Sequence, residues 1–192
     1  MKIKERKTCE WPGSDPLMTA YHDEEWGVPV HDDRKIFEFM VLDAFQAGLS
    51  WSIVLKKRVA FQKAFDNFDF NLIAGYNEDK IQELLKNEGI IRNRLKIIAT
   101  VNNAQRFVEV RKEFGTFDRY VWQFTGFKTI DNRLTSLSQM LSRSPESDAM
   151  SRDLKKRGFR FAGSTICYAF MQASGMVNDH LTLCFRYKEL TG

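Results

Sequence analysis

An all-α fold is predicted for this 192-residue chain, on three observations. Apolar residues recur at helical spacing, strand-like alternation is nearly absent, and capping residues stand just ahead of the periodic segments. Taken in order, Asp32 or Asp33 precedes a helix whose apolar side carries Ile36, Phe39 and Met40. Ser50 caps the next, which includes LKKR at 55–58. Asn77 opens a helix with Ile81, Leu84 and Leu85 on one side, and Ile91, Leu95 and Ile98 mark the apolar side of another. Ser144-Pro145-Glu146 supplies a cap and a first-turn proline to a charged helix ending in LKKR at 154–157, after which comes the apolar helix TICYAFMQA at 165–173. The least periodic stretch, roughly 126–147, is polar and Ser/Thr-rich, which suits a surface connection between two helical lobes. Residues 1–192 are expected to act as one domain.

Composition adds limits. Sixteen phenylalanines imply a core packed with bulky rings. A net charge of +4 permits nucleic-acid contact only where the basic residues are gathered on one face. No apolar run approaches the ~18–20 residues that span a bilayer, and the start MKIKERKTCEW lacks the apolar stretch of a secretory signal. An intracellular, cytoplasmic monomer is expected. Its three cysteines, Cys9, Cys167 and Cys184, are an odd number without an export signal, so reduced thiols are expected rather than disulfides.

Three constellations can carry chemistry. Cys9 and His22 near the start, with His180 and Cys184 near the finish, offer the two sulfurs and two nitrogens that suit tetrahedral zinc. His180 and Cys184 are four apart and would share one side of a helix. Scattered Cys and His are also ordinary packing residues, and spacing alone does not decide between the two; Cys167, in an apolar run, reads as a buried thiol. The second constellation is the glycine-bracketed turn from Arg157 through Gly158, Arg160 and Gly163 to Ser164 and Thr165. Gly163 lacks the Cβ that would block a close backbone approach, the following helix start offers free N–H groups to a phosphate, and Arg157 and Arg160 add charge. A plain helix–turn–helix connection would look the same. The third joins YHDEEWG at 21–27 to DAFQAGLSW at 43–51, where Asp43 interrupts an apolar stretch. A carboxylate is costly to bury there without a partner, and a cationic ligand would serve as one; a solvated helix edge is the alternative.

Seven motifs occur together and in order: CxW at 9–11, YHDxEWG at 21–27, QAGLSW at 46–51, LKKR at 55–58, GIIRxR at 89–94, LKKRGFxF at 154–161 and TICYxFMQAxGxVNDH at 165–180. Through them the chain resembles the bacterial DNA-3-methyladenine glycosylase I family, of the helix–hairpin–helix glycosylase superfamily. The resemblance runs from Cys9 to Cys184. It implies a two-lobed helical fold with one structural zinc ion held by Cys9, His22, His180 and Cys184, joining the chain ends. It implies a partner, duplex DNA containing alkylated bases, held at a phosphate by the hairpin residues Gly158, Arg160 and Gly163 with Ser164 or Thr165. Gln46, Gly48 and Leu49 match the tip that probes the duplex and fills the gap left by a flipped nucleotide. Trp11, Tyr21, Asp43 and Trp51 match the walls of the base pocket, with Asp43 the candidate for a catalytic role.

Two positions depart from the family. Asp43 stands where the family has glutamate, and Met18 stands where it usually has tyrosine. The shorter side chain falls ~1.5 Å short of the glutamate position unless the helix shifts or a water bridges the gap. Many relatives in the superfamily carry a catalytic aspartate after the hairpin helix; here Asn178 occupies the corresponding position and cannot act as a base. The resemblance implies that N3 methylation compensates, because it makes the purine a cationic and good leaving group. The implied activity is monofunctional hydrolysis of the N-glycosidic bond of 3-methyladenine. A lesion-binding protein of the same fold with little turnover, and a zinc-stabilised interaction domain unrelated to DNA, are the other readings.

Overall fold

The computed structural model describes residues 6–191; the basic start at 1–5, and residue 192, lie outside the described part. Helices α1 (Pro16–Glu24), α2 (Asp33–Gln46), α3 (Trp51–Ala64), α4 (Phe70–Ala74) and α5 (Glu78–Lys86) precede the longest, α6 (Arg94–Phe114). After α7 (Phe117–Trp122) come strand β1 (Ile130–Asp131), α8 (Pro145–Lys156), α9 (Ser164–Ala173), strand β2 (Val177–Asn178) and α10 (Phe185–Thr191). No helix among the described residues is long and apolar enough to cross a membrane.

Caps fix several helix starts. Asp32, not Asp33, is the N-cap of α2, its carboxylate accepting from Lys35 N–H at 2.8 Å. Asp33 instead reaches across to accept from the backbone N–H groups of Phe117 and Asp118, which seats α7 on α2. Asn77 caps α5 and Ser144 caps α8 with Pro145 in the first turn, whereas Ser50 occupies the N-cap position of α3 without a side-chain bond to the helix.

Helix α2 is the centre of the molecule, packed by α3, α6, α7 and α9. From Ile36 to Phe45 every residue is buried except Met40, so two carboxylates lie in the interior. Glu38 is satisfied by Arg58 and Lys35. Asp43 has no such partner, and that contrast marks the site. Phenylalanine does much of the packing: Phe37 meets Phe70 and Phe107 edge-on and Phe107 stacks on Phe117, through the contacts between α2, α4, α6 and α7.

Two sequence expectations are corrected here. The face of α6 buries Lys96, Ile97, Ala99 and Thr100 and leaves Leu95 71 % exposed, because Lys96 has a polar task inside the protein that a hydropathy pattern cannot see. The stretch 126–147 is also more than a loose connection. Its β1 pairs in parallel with β2, Ile130 opposite Val177 and Asp131 opposite Asn178, and Thr182 N–H donates to Leu134 O at 2.8 Å. The segment thus braces the turn that precedes α10.

The α8–α9 connection begins with a Schellman ending: Phe159 N–H bonds to Leu154 O and Gly158 N–H to Lys155 O, both at 3.0 Å. Gly158 sits at φ +86°, where a Cβ is strained. Gly158→Ala is expected to lower stability by about 1 kcal/mol in chemical denaturation without changing the spectroscopic helix content.

Candidate active site and metal centre

Trp11, Met18, Tyr21, Trp26, Asp43, Gln46, Trp51, Ala169, Gln172 and Ala173 enclose a cavity of about 170 Å³. A comparable engineered void of about 150 Å³ accepts one benzene ring, so the space suits a planar heterocycle. Helix α2 supplies Asp43 and Gln46, α1 supplies Met18 and Tyr21, and the first turn of α3 supplies Trp51. Tyr21 and Trp51 lie 5.1 Å apart between ring centroids, and Trp11 meets Tyr21 edge-on at 6.4 Å. All four residues assigned to the base pocket therefore share one cavity.

Asp43 is only 3 % exposed. Burial pushes its carboxyl well above the usual carboxylate range, with no positive neighbour to offset the cost. Six buried side-chain polar atoms lack a hydrogen-bond partner among the described residues, and three of them, Asp43 Oδ2, Trp11 Nε1 and Trp51 Nε1, belong to residues lining this cavity. Each such atom costs roughly 1–3 kcal/mol when left unpaired, so their gathering around one space points to a polar ligand.

A second cavity of about 240 Å³ adjoins the first, sharing Asp43, Gln46 and Ala169 and bounded further by Ala47, Gly48, Leu49, Thr165 and Ile166. It lies between the end of α2 and the start of α9. Leu49 is exposed at the tip that follows α2. The tip is held from beneath: Lys96 donates to Phe45 O at 2.8 Å and Ala47 O at 2.6 Å, placing a cation on the carbonyl end of α2. The hairpin is held by the same helix. Asn103 accepts from Arg160 N–H and donates to Arg160 O, both at 2.8 Å, while Asn102 donates to Gly158 O at 2.9 Å. Sequence reasoning missed these three α6 residues; only the polar pair Asn102-Asn103 inside an otherwise good helix hinted at them.

Within the hairpin, Arg160 is exposed, and a Cβ built on Gly163 meets nothing within 4 Å at an ordinary φ of −70°. The protein itself does not require glycine there. Thr165 is exposed in the first turn of α9, whereas the Ser164 hydroxyl is taken by Asp148 and Ser147. Arg157 is not available as expected from sequence. Its guanidinium binds Glu113 and Asp153 and lies over Phe114 and Tyr120, an assembly that fastens α8 to α6 and α7.

Cys9, His22, His180 and Cys184 are all buried, and one donor atom from each lies within 4.8 Å of the others. Three sulfur–nitrogen edges measure 3.7 Å: Cys9 to His180, Cys184 to His180 and Cys184 to His22. A tetrahedral zinc with two sulfur and two nitrogen ligands needs edges of ~3.6 Å, so the donor set fits that geometry. The imidazoles are correctly presented. His22 Nδ1 meets Asp23 at 2.6 Å, leaving Nε2 toward the cluster, and His180 Nε2 donates to Trp26 O at 2.9 Å, leaving Nδ1. The two thiols act as a pair: the contact with Cys9 holds the Cys184 thiol below its ordinary value, with His180 and His22 adding to it, while the same contact and burial push the Cys9 thiol up. His180 and Cys184 do not lie on a helix, contrary to the four-residue spacing. They flank a tight turn closed by Cys184 N–H to Leu181 O, and Leu181 N–H donates to Cys9 Sγ. The cluster abuts the cavity, since Trp11 packs edge-on against His22 at 5.5 Å and Tyr21 is the residue before it.

Asn178 does not line the cavity; its Oδ1 accepts from His180 N–H at 3.2 Å and so braces the cluster. Asp179, the next residue, is 1 % exposed and accepts from Asn132, Tyr168 and Gln172. Neither side chain is placed to act as a base on a molecule in the cavity.

Comparison with known proteins places the chain in a family. A family model described as methyladenine glycosylase matches residues 11–187. DNA-3-methyladenine glycosylase 1 of Escherichia coli K12 is 45 % identical over 93 % of this chain and 96 % of its own length. A crystal structure of a 3-methyladenine DNA glycosylase I superposes with a TM-score of 0.91 at 47 % identity, covering 93 % of this chain and 98 % of that one. The 3-methyladenine DNA glycosylase I of Staphylococcus aureus, whose structure is described as the basis of 3-methyladenine recognition, gives 0.90 at 31 % identity over 93 % and 95 %. With a family model over nearly the whole chain and relatives matched along their full length, the chain belongs to the methyladenine glycosylase family of enzymes.

Proposed function

We propose that the protein is a single-domain glycosylase that hydrolyses the N-glycosidic bond of 3-methyladenine in duplex DNA, acting on a base turned out of the helix. The observation that carries this reading is the unpartnered Asp43 carboxyl in an aromatic cavity that opens toward the tip and the hairpin. In the proposed complex the hairpin amides, Arg160 and Thr165 hold a phosphate, Leu49 enters the stack, and the extruded base lies between Trp51 and Trp11. Asp43 faces the base and favours its cationic form, and water attacks the anomeric carbon as the methylated purine leaves. The cavity lining holds no lysine to serve as an amine nucleophile, and Lys96 is engaged with carbonyls, which supports hydrolysis without strand cleavage. Release of free 3-methyladenine from methylated duplex DNA, with no cut at the resulting abasic site, tests the proposal. No release, or release accompanied by strand scission, counts against it.

The four-residue cluster is proposed to hold one zinc ion with a structural role, because four protein ligands leave no position open for water. A second reading, a lesion-binding protein with little turnover, is favoured by one observation: Met18 lines the cavity and brings a thioether where the family usually has a phenol. Damage-dependent binding without base release would establish it.

The hairpin assignment has its own check. Arg160→Ala and Gly163→Val should each weaken binding to damaged and undamaged DNA by about ten-fold, and Arg160→Ala should also flatten the salt dependence. A Cβ at position 163 meets nothing within 4 Å, so the melting temperature of Gly163→Val should stay near the parent's. Altered base choice at unchanged DNA affinity would remove the hairpin from the phosphate contact.

A further inference from the structure

Within the cavity one polar group has a fixed orientation that the proposed chemistry has not used. Gln172, on α9, lines the cavity beside Asp43 and Ala169. Its Nε2 donates to Asp179 Oδ2 at 2.7 Å. Which end of an amide is nitrogen is decided by its partners, and here the partner decides it chemically. Asp179 is buried, and it gathers donors: Tyr168 O–H at 2.9 Å and Asn132 Nδ2 at 2.6 Å complete the set, with Asn132 Nδ2 also 3.1 Å from the Tyr168 hydroxyl. Turning the Gln172 amide over would set its oxygen against a carboxylate oxygen at 2.7 Å, two acceptors with no proton between them. The amide is therefore locked with its nitrogen toward Asp179. Its Oε1 has no hydrogen-bond partner among the described residues and is not among the fully buried unpaired atoms; because Gln172 lines the cavity and its nitrogen is taken by Asp179, the oxygen is the amide atom left to meet a ligand there.

We infer that Gln172, locked by Asp179, presents a fixed acceptor to the base and selects purines that carry an exocyclic amino donor at C6 over those that carry a carbonyl there. This rests on the cavity being a base pocket. The 6-amino group of 3-methyladenine would donate to Oε1, and the 6-oxygen of 3-methylguanine or 3-methylhypoxanthine would meet it as a second acceptor. An amide free to turn would accommodate either; the locked one does not. Gln172 is in this sense a specificity residue, and Asp179, Tyr168 and Asn132 are positioning residues that act through it.

Binding of the free bases 3-methyladenine and 3-methylhypoxanthine to the intact, metal-loaded protein tests this without variants. 3-Methyladenine should bind at least about 30-fold tighter, because the mismatched base leaves a polar pair unsatisfied. In Gln172→Met, which keeps the length of the side chain and removes the acceptor, the ratio should fall to about three-fold or less. Equal binding of the two bases by the unaltered protein would overturn the inference alone, as would a ratio unmoved in a Gln172→Met protein of unchanged melting temperature. Binding of neither base would overturn the base pocket itself and this inference with it.

Discussion

If the cluster holds the proposed zinc, stripping it with a chelator, or replacing Cys184 by alanine, is expected to lower unfolding free energy by about 5 kcal/mol, the value for closing a loop as long as Cys9 to Cys184 in the chain-entropy account of cross-links. For a chain of this length that corresponds to a fall in melting temperature of about 10–20 °C. Three features make the effect large. The four candidate ligands come from opposite ends of the sequence, all are buried, and their neighbours include parts of the cavity wall, Trp11 and Tyr21. Base binding should therefore weaken together with stability. Calorimetric melts with and without chelator, alongside metal analysis of the purified protein, check this. Purified protein without zinc, or Cys184→Ala with unaltered metal content and melting temperature, would show that the cluster is only a packed group of side chains.

Asp43→Asn is expected to move stability and function in opposite directions. The folded-state pKa of Asp43 is raised, so between its unfolded value of about 3.9 and the raised value the native protein holds a proton that the unfolded chain releases. Native stability then declines as pH climbs through that window, by up to about 1.4 kcal/mol for each pH unit. Asparagine carries no such linkage, and the variant should melt higher than the parent at neutral pH by a margin that shrinks toward pH 4. Function should suffer, because a cationic base draws the buried carboxyl into its charged form and is thereby favoured over its neutral parent. Preference for the methylated base over adenine should drop by roughly 1–3 kcal/mol, about ten-fold to a hundred-fold, while the intrinsic lability of the glycosidic bond persists. Asp43→Glu has cavities on both sides to lengthen into and should keep or improve binding. Melting curves across pH 4–8 and base-release assays on all three proteins provide the comparison. Asp43→Asn with parental stability at neutral pH and parental selectivity would place the carboxyl outside the reaction.

Much of this was legible in the sequence because the signals were local or chemical. Caps at Asp32, Asn77 and Ser144 obey rules that act over three residues, and the two cysteines and two histidines are chemically distinctive at any separation. Asp43 stood out as a charge in an apolar run, and the fold buries it. What escaped reading depends on contacts distant in sequence. A two-residue strand such as β1 has no period to detect, and the partner of Ile130, Val177, lies beyond α8 and α9. The His180–Cys184 spacing fits a helix but belongs to a turn, because Leu181 and Thr182 bond to Cys9 and Leu134 instead of to their own neighbours. Arg157 looked free for DNA and is consumed by Glu113 and Asp153. Lys96 lay in an apolar-periodic helix, and nothing nearby announced that its amine would cross to the carbonyls of Phe45 and Ala47.

That lysine has a consequence for how the enzyme is built. Lys96 and Asn103 are seven residues apart on one continuous helix, hence on nearly the same side and separated by about 10 Å of axial rise. One grips the tip after α2 and the other grips the hairpin before α9, so α6 works as a gauge block between the two contact points. The tip and the hairpin can each change sequence while the gap between them stays constant, since that gap is written in the pitch of a helix that never touches the base. A single residue inserted between Lys96 and Asn103 would turn one grip by about 100° relative to the other and lengthen the gauge by about 1.5 Å. Tolerance to variation in the loops and intolerance to a change in helix length thus meet within about 10 Å of one helix.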